Sequence, residues 1–308
     1  MRQQDLYDCL IIGAGPAGLT AAIYLARYHL SIRLLDSGDS RCGWIPRTHN
    51  HAGYPQGVPG PELLRLMREQ SERFGAVREA ATATAIEREG DGFRVRLEDG
   101  RALAARTVLL ATGVVNRRPK SMPDDLHDAA LAGGQLRYCP VCDGYEVTDK
   151  RVGVIGTDAH GMKEALFLRS YTRDVTLISP DESHRLDESC IDALEAAGIA
   201  RVDGPCGGWA IEDGCFAFDT AGGRLRFDSV YPAMGSDIRS KLAVAAGARA
   251  SEDGCMEVDD HQRTSVPGLF AAGDVVKGLD QISHAMGEAS VAATTIRNLL
   301  AEQRRLWR

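Results

Sequence analysis

Eight cysteines are spread over the 308 residues, and only Cys139 and Cys142 form a C-x-x-C pair. Such a pair can be a redox dithiol, half of a zinc site, or a coincidence. Zinc needs two more ligands at suitable spacing, and the nearest candidates, His160 and Cys190, lack it. Asp143 and Gly144 follow directly, which speaks against coincidence. The two-residue spacer suits a reversible disulfide. Pro140, with its fixed φ and no N–H, suits a first helical turn, whose free amides favour thiolate. Lowering a thiol pKa from about 8.5 to about 7 takes roughly 2 kcal/mol, within reach of helix and local hydrogen-bond effects. Asp143 has two readings, a proton carrier with a somewhat raised pKa or a turn and cap residue.

A second chemical signal lies near the start. Residues 8–12, Asp-Cys-Leu-Ile-Ile, read as a buried strand, and Gly13-Ala14-Gly15-Pro16-Ala17-Gly18 is a complete G-x-G-x-x-G. Gly13 permits a tight turn, Gly15 lets backbone approach a pyrophosphate, and Gly18 lets a helix pack close to the strand. The helix N-terminus then faces phosphates with free N–H groups and positive dipole charge. Asp36 closes the next strand, where a carboxylate accepts from a ribose 2′-OH and repels a 2′-phosphate.

The elements that position these groups occur twice. At a constant offset of 143 residues, Gly13 matches Gly156, Gly18 matches Gly161, Ala22 matches Ala165 and Leu34 matches Leu177, without a gap. Both copies read strand, glycine turn, amphipathic helix, strand: a β-α-β unit, twice. In the second copy Gly15 becomes Asp158 and Asp36 becomes Ser179. A unit charge about 5 Å from a ligand phosphate, at an effective dielectric near 20, is repelled by roughly 3 kcal/mol, about two orders of magnitude in affinity. Arg185 and Lys163 are the nearby residues that could offset it.

Composition sets the frame. Hydrophobic residues make up 44% and charged residues 26%, a globular profile, and the net charge of −7 gives no electrostatic reason to expect nucleic acid or anionic membrane as a partner. The one dense basic run, Arg304, Arg305 and Arg308, reads as a helix end. No apolar stretch approaches the roughly 20 residues that span a bilayer. The first strand starts almost at Met1, which argues against a signal peptide. A cytoplasmic location is the expectation.

Three further segments complete the pattern. Residues 108–113 run as a strand into Ala111-Thr112-Gly113, residues 264–274 end in Gly273-Asp274, and a last helix runs from about 283 to 300. With Tyr138-Cys139-Pro140-Val141-Cys142-Asp143-Gly144 between the halves, and with residues 50–64 (Asn-His-Ala-Gly-Tyr-Pro-Gln-Gly-Val-Pro-Gly-Pro-Glu-Leu-Leu), the chain resembles the low-molecular-weight thioredoxin reductase family over essentially its whole length.

The resemblance implies an α/β fold of two Rossmann-like dinucleotide-binding domains, three-layer ββα, the second inserted in the first. The FAD domain would comprise residues 1–116 and 243–308, and the inserted NADPH-domain-like module 117–242, carrying the disulfide. FAD would be held by Gly13, Gly15, Pro16, Ala17, Gly18 and Asp36, with Asn50, Ala111, Thr112, Gly113, Gly273, Asp274, Gln281 and Ile282 along the rest of the cofactor. Cys142 would face the flavin, Cys139 would meet the external substrate, and Asp143 would carry the proton. His51 and His284 are secondary candidates for proton transfer; Trp307 reads first as part of a disordered or dimer-packing tail, with stacking on the flavin as the alternative. Cys42, a further candidate near the flavin, reads first as a packing residue, as do Cys9, Cys190, Cys206, Cys215 and Cys255.

The departures from the family point the other way for NADPH. The second glycine loop is Gly156-Thr157-Asp158, the 2′-phosphate clamp is replaced by Ser179-Pro180-Asp181, and the Arg-Gln pair near the end is Asp280-Gln281. These changes put NADPH in doubt as a cofactor. The expectation is an FAD-dependent thiol/disulfide oxidoreductase, with a thioredoxin-like protein or small dithiol as substrate and oxygen or a ferredoxin-like protein as electron partner. The alternatives are an NADPH-dependent thioredoxin reductase and a redox-sensing flavoprotein without turnover. A homodimer is expected from the resemblance alone.

Overall fold

The computed structural model describes residues 6–306. The apolar run at the start forms β1 (Leu6–Ile12), buried in all but its first residue. A near-continuous apolar strand of this kind belongs at the centre of a parallel sheet covered on both faces. There follow α1 (Pro16–Arg27), β2 (Ile32–Asp36), α2 (Gly60–Arg73), β3 (Val77–Ala80), β4 (Ala83–Glu89), β5 (Gly92–Leu97), β6 (Ala102–Leu110) and β7 (Val114–Asn116). The middle of the chain supplies α3 (Asp124–Gly133), α4 (Pro140–Asp143), β8 (Val152–Ile155), α5 (Ala159–Leu168), β9 (Val175–Ile178), α6 (Glu188–Ala196) and β10 (Ala200–Val202). After them come β11 (Gly207–Glu212), β12 (Cys215–Thr220), β13 (Gly223–Phe227), β14 (Ser229–Pro232), β15 (Ser236–Ile238), α7 (Lys241–Ala245), β16 (Leu269–Ala271) and α8 (Ile282–Gln303).

Contacts divide the described residues into two units, the first comprising residues 6–43, 60–115 and 238–306, the second 44–59 and 116–237. In the first unit the sheet runs β3-β2-β1-β6, parallel throughout, with β16 parallel to β6 and β5-β4 continuing as an antiparallel meander. Its core is built on Leu10, Leu35, Phe93, Val108, Leu110 and Leu269. Helix α1 is alanine-rich and buried at nine of its twelve positions, because it packs against α8 as well as β1 and β2. That double burial accounts for the weak polar face of its sequence.

In the second unit β10-β9-β8-β14 is a parallel sheet, and β11-β12-β13 is an antiparallel one. One core joins Ile155 and Ile178 to Phe216, Phe218 and Phe227. The other, around Val154, Leu168, Leu177 and Tyr231, lies under α5 and α6. The repeat read from the sequence is thus two β-α-β units, β1-α1-β2 and β8-α5-β9. Residues 44–59, expected with the first domain, pack with the second unit. There Trp44 meets His127 edge-on, 5.8 Å between ring centroids, and His49 pairs with Glu146 at 2.8 Å.

Candidate active site

In the first unit, parallel register brings several expected residues to one edge of the sheet. Ile12 pairs with Leu35 and Leu110, and Leu110 pairs with Ala271. The loops that follow these residues carry Gly13–Gly18, Asp36, Ala111–Gly113 and Gly273–Asp274, so all emerge side by side. The glycines are there for close approach. A Cβ on Gly13, whose φ is +108°, would lie 2.2 Å from the Ala111 carbonyl oxygen, and one on Gly18 would lie 1.8 Å from that of Gly13. A Cβ on Gly15 would meet only the Ser40 hydroxyl, at 3.3 Å. Gly15 is the N-cap of α1 and offers no side chain to the first-turn amides, and no acidic residue stands in that turn. An uncapped, glycine-cradled helix start fits the pyrophosphate of a dinucleotide.

Asp36 is buried, with Oδ1 accepting from the Gly38 amide at 2.9 Å and Oδ2 from Arg78 at 2.9 Å. Thr112 donates its hydroxyl to the Arg239 carbonyl at 2.7 Å. Arg41, which the sequence reading passed over, bridges Asp274 at 3.0 Å and Asp280 at 2.9 Å. Burial, and then the nearby Asp280, push the Asp274 carboxyl up. Gln281 is the N-cap of α8 and Ile282 its first residue. One turn on, His284 pairs with Glu288 at 3.1 Å, and Glu288 accepts from the Gly273 amide at 2.7 Å. Glu288 thus holds the Gly-Asp turn in place. The available signal for it was an acid within the first two turns of a helix that has no other Asp or Glu before Glu302. Asn50 belongs to the second unit, where it accepts from the Thr48 hydroxyl at 2.8 Å, and His51 stacks on Tyr54 nearby. Cys42 is buried in the first unit, its thiol pushed up to about 12 by burial. Trp307 lies outside the described residues.

In the second unit Cys139 and Cys142 are joined as a disulfide. Cys139 is the N-cap of α4 and Pro140 its first residue, as the fixed φ of proline favours. The Cys142 amide reaches the Cys139 sulfur at 3.1 Å and its carbonyl oxygen at 2.9 Å. Val141 and Tyr145, before and after Cys142 in the chain, are 49% and 81% exposed. Asp143 is held on both oxygens. Arg137 donates to Oδ2 at 2.9 Å and the Tyr231 hydroxyl to Oδ1 at 3.0 Å. Burial pushes the Asp143 carboxyl up, against the pull of Arg137 and Tyr231.

The second glycine loop differs from the first in what fills it. Gly156 and Gly161 keep the close strand–helix packing, a Cβ on either lying within 3.0 Å of the other's backbone. Asp158, however, is the N-cap of α5 and accepts from the His160 amide at 3.0 Å. Its carboxylate occupies the donor that a phosphate would use. Beyond β9, Ser179 is fully buried and within 3.3 Å of the Thr157 hydroxyl. Asp203, which accepts from the His184 amide at 2.9 Å, adds its charge to those of Asp181 and Glu182 there. The Arg185 amide is tied to Thr157, but its side chain is exposed and 3.7 Å from Glu182.

Over residues 7–289 the sequence matches the family described as pyridine nucleotide-disulphide oxidoreductase. The thioredoxin reductase of Mycolicibacterium smegmatis is 33% identical over 317 residues, covering 97% of this chain and 98% of that protein. The thioredoxin reductase of Aquifex aeolicus is 30% identical over 290 residues, covering 90% and 88%. Among solved structures, thioredoxin reductase from Streptococcus pyogenes superposes with a TM-score of 0.88 at 28% identity, covering 97% of this chain and all of that one.

Proposed function

The chain belongs to the pyridine nucleotide-disulphide oxidoreductase family as a thioredoxin reductase-like member, and from that premise we propose that it exchanges electrons between FAD and the Cys139–Cys142 disulfide without efficient use of NADPH. FAD, when bound, supplies a two-electron carrier. The uncapped start of α1, with Gly13, Gly15 and Gly18, is the proposed seat of its pyrophosphate, and Asp36 the acceptor for its ribose. The remaining contacts are proposed for Asn50, residues 111–113, Gly273, Asp274, Gln281 and Ile282. Cys139 exchanges with the external thiol, Cys142 is its partner on the flavin side, and Asp143 takes up and returns the proton. The substrate is a thioredoxin-like protein or a small dithiol, and oxygen or a ferredoxin-like protein stands at the other end of the electron path. The homodimer belongs to the same proposal.

The observation that carries the NADPH part is the Asp158 carboxylate on the first-turn amide of α5. The test is an anaerobic titration of the oxidised protein, followed by flavin absorbance. A dithiol such as dithiothreitol is expected to bleach the flavin, and NADPH or NADH at micromolar concentration is not. Rapid bleaching by NADPH would establish the second reading, an NADPH-dependent thioredoxin reductase, which the names of the relatives favour.

A further inference from the structure

Two residues that neither the cysteine spacing nor the glycine loops point to close around Asp143. Arg137 precedes Cys139 by two positions. Its Nη1 donates to Asp143 Oδ2 at 2.9 Å, while its Nε is held by the Gly134 carbonyl at 3.0 Å and the Ser229 hydroxyl at 3.3 Å. Its own amide is tied to the Val230 carbonyl at 2.9 Å, so the guanidinium cannot swing away freely. Tyr231, on β14, is fully buried, and its hydroxyl lies 3.0 Å from Asp143 Oδ1 and 3.3 Å from the Asp143 carbonyl oxygen. Each carboxylate oxygen therefore has one fixed donor from a different element.

Resting on the reading of Asp143 as proton carrier, we propose that Arg137 and Tyr231 are positioning residues that fix the carboxylate of Asp143, the residue after Cys142, and favour its ionised form while the disulfide is closed. An external thiol that attacks Cys139 forms a new S–S bond to that sulfur. The Cys139–Cys142 bond breaks, and its electron pair leaves on the Cys142 sulfur. The proton given up as the attacking thiol becomes a thiolate needs an acceptor. An ionised carboxylate can take it, and in the reverse direction give it back to the departing sulfur. A carboxyl already protonated could not.

The groups facing Asp143 decide which form it holds. Burial favours the protonated form, and so does the Glu146 charge on the following turn. Glu146 is itself paired with His49 at 2.8 Å. Against these stand the Arg137 charge and the two hydrogen bonds, and the Tyr231 phenol, its own pKa pushed up by burial, stays a donor. Without Arg137 the carboxyl takes its proton at higher pH, and without the Tyr231 hydroxyl it does so to a smaller extent.

The test measures how fast excess dithiothreitol opens the disulfide in the full chain with its flavin, anaerobically, between pH 5 and 9. Acid quench, alkylation and the mass of the peptide carrying both cysteines give the rate. The ratio of variant to wild-type rate at each pH cancels the titration of the reagent. For Arg137→Gln the ratio is expected to fall about tenfold toward acid pH and recover as pH rises, the size of a lost charge-assisted hydrogen bond. Tyr231→Phe should show a smaller deficit of the same shape, and Arg137→Lys should lie nearer wild type than Arg137→Gln. Asp143→Asn should show the opposite shape, a deficit that grows with pH. If Asp143→Asn behaves so while the Arg137 and Tyr231 variants give flat ratios, Asp143 keeps its role and the positioning proposal falls. If Asp143→Asn matches wild type at every pH, the proton-carrier reading falls and takes the proposal with it. Tyr231→Phe, which preserves the buried ring, keeps the test decisive should Arg137→Gln fail to fold.

Discussion

Asp158 and Gly15 stand at equivalent points of the two β-α-β units, and the difference between them is one carboxylate. At α1 the first-turn amides have no side-chain partner, whereas at α5 the protein has supplied its own anion. Asp158→Gly is therefore expected to tighten NADPH and NADH binding by about tenfold, short of the roughly hundredfold limit set by the charge repulsion. Replacing an Asp cap by Gly costs only a few tenths of a kcal/mol, so folding should survive. Flavin bleaching as a function of nucleotide concentration gives the affinity. An unchanged value would mean that the Asp158 carboxylate does not limit nucleotide binding. The residue itself was legible from the repeat, as was its charge. Arg137 and Tyr231 were not, because Tyr231 lies 88 residues from Asp143 and meets it only through the placement of β14. Arg185, read as a compensating charge, turns instead to Glu182 at the surface.

Two glycines of the first loop do different work at the level of the element. Gly18 is where α1 crosses β1, and an added Cβ would overlap the Gly13 carbonyl oxygen. Gly18→Ala must push helix and strand apart. Overpacking of about 3 kcal/mol would lower the unfolding midpoint by about 5 °C or more, with or without flavin. At Gly15 the backbone is extended at φ −76°, which alanine adopts, and the nearest obstacle is a flexible serine hydroxyl. Gly15→Ala should fold normally, yet lose FAD at least tenfold more readily, because the methyl stands where the pyrophosphate approaches. Circular dichroism melts and the flavin-to-protein ratio after dialysis separate the two effects. Equal flavin retention in Gly15→Ala would remove the loop from the cofactor site. The β-α-β repeat was readable because each half obeys local rules of period and turn. The grouping of residues 44–59 with the second unit was not, since it depends on non-local contacts such as Trp44 against His127.

At the scale of the whole molecule, stability against pH is a difference between opposing buried groups. Burial raises the carboxyls of Asp143, Asp274 and Glu288. A raised carboxyl favours the folded state when protonated, and that contribution is lost as pH rises through its folded pKa. His127 acts in the other direction. It is 3% exposed, with Nδ1 2.9 Å from Asp128 and Nε2 2.9 Å from the Tyr138 hydroxyl, an arrangement a neutral ring satisfies by donating from Nδ1 and accepting at Nε2. Burial lowers its pKa below the ordinary 6.5. The unfolded chain thus takes up a proton near pH 6.5 that the folded chain refuses. The His127 contribution is complete above that pH and is lost as pH falls through the window below it, toward the folded value. Summed over the molecule these slopes partly cancel, so a single melting profile would not reveal them, but a pair of proteins would. His127→Gln keeps a hydrogen-bonding side chain and cannot titrate. It should be less stable than wild type at pH 8, and the gap should narrow steadily as pH is lowered from 7 to 5. Urea midpoints at several pH values measure that gap. A gap that stays constant over this range would mean that His127 takes its proton as readily folded as unfolded, and the acid sensitivity would then have to arise elsewhere in the molecule.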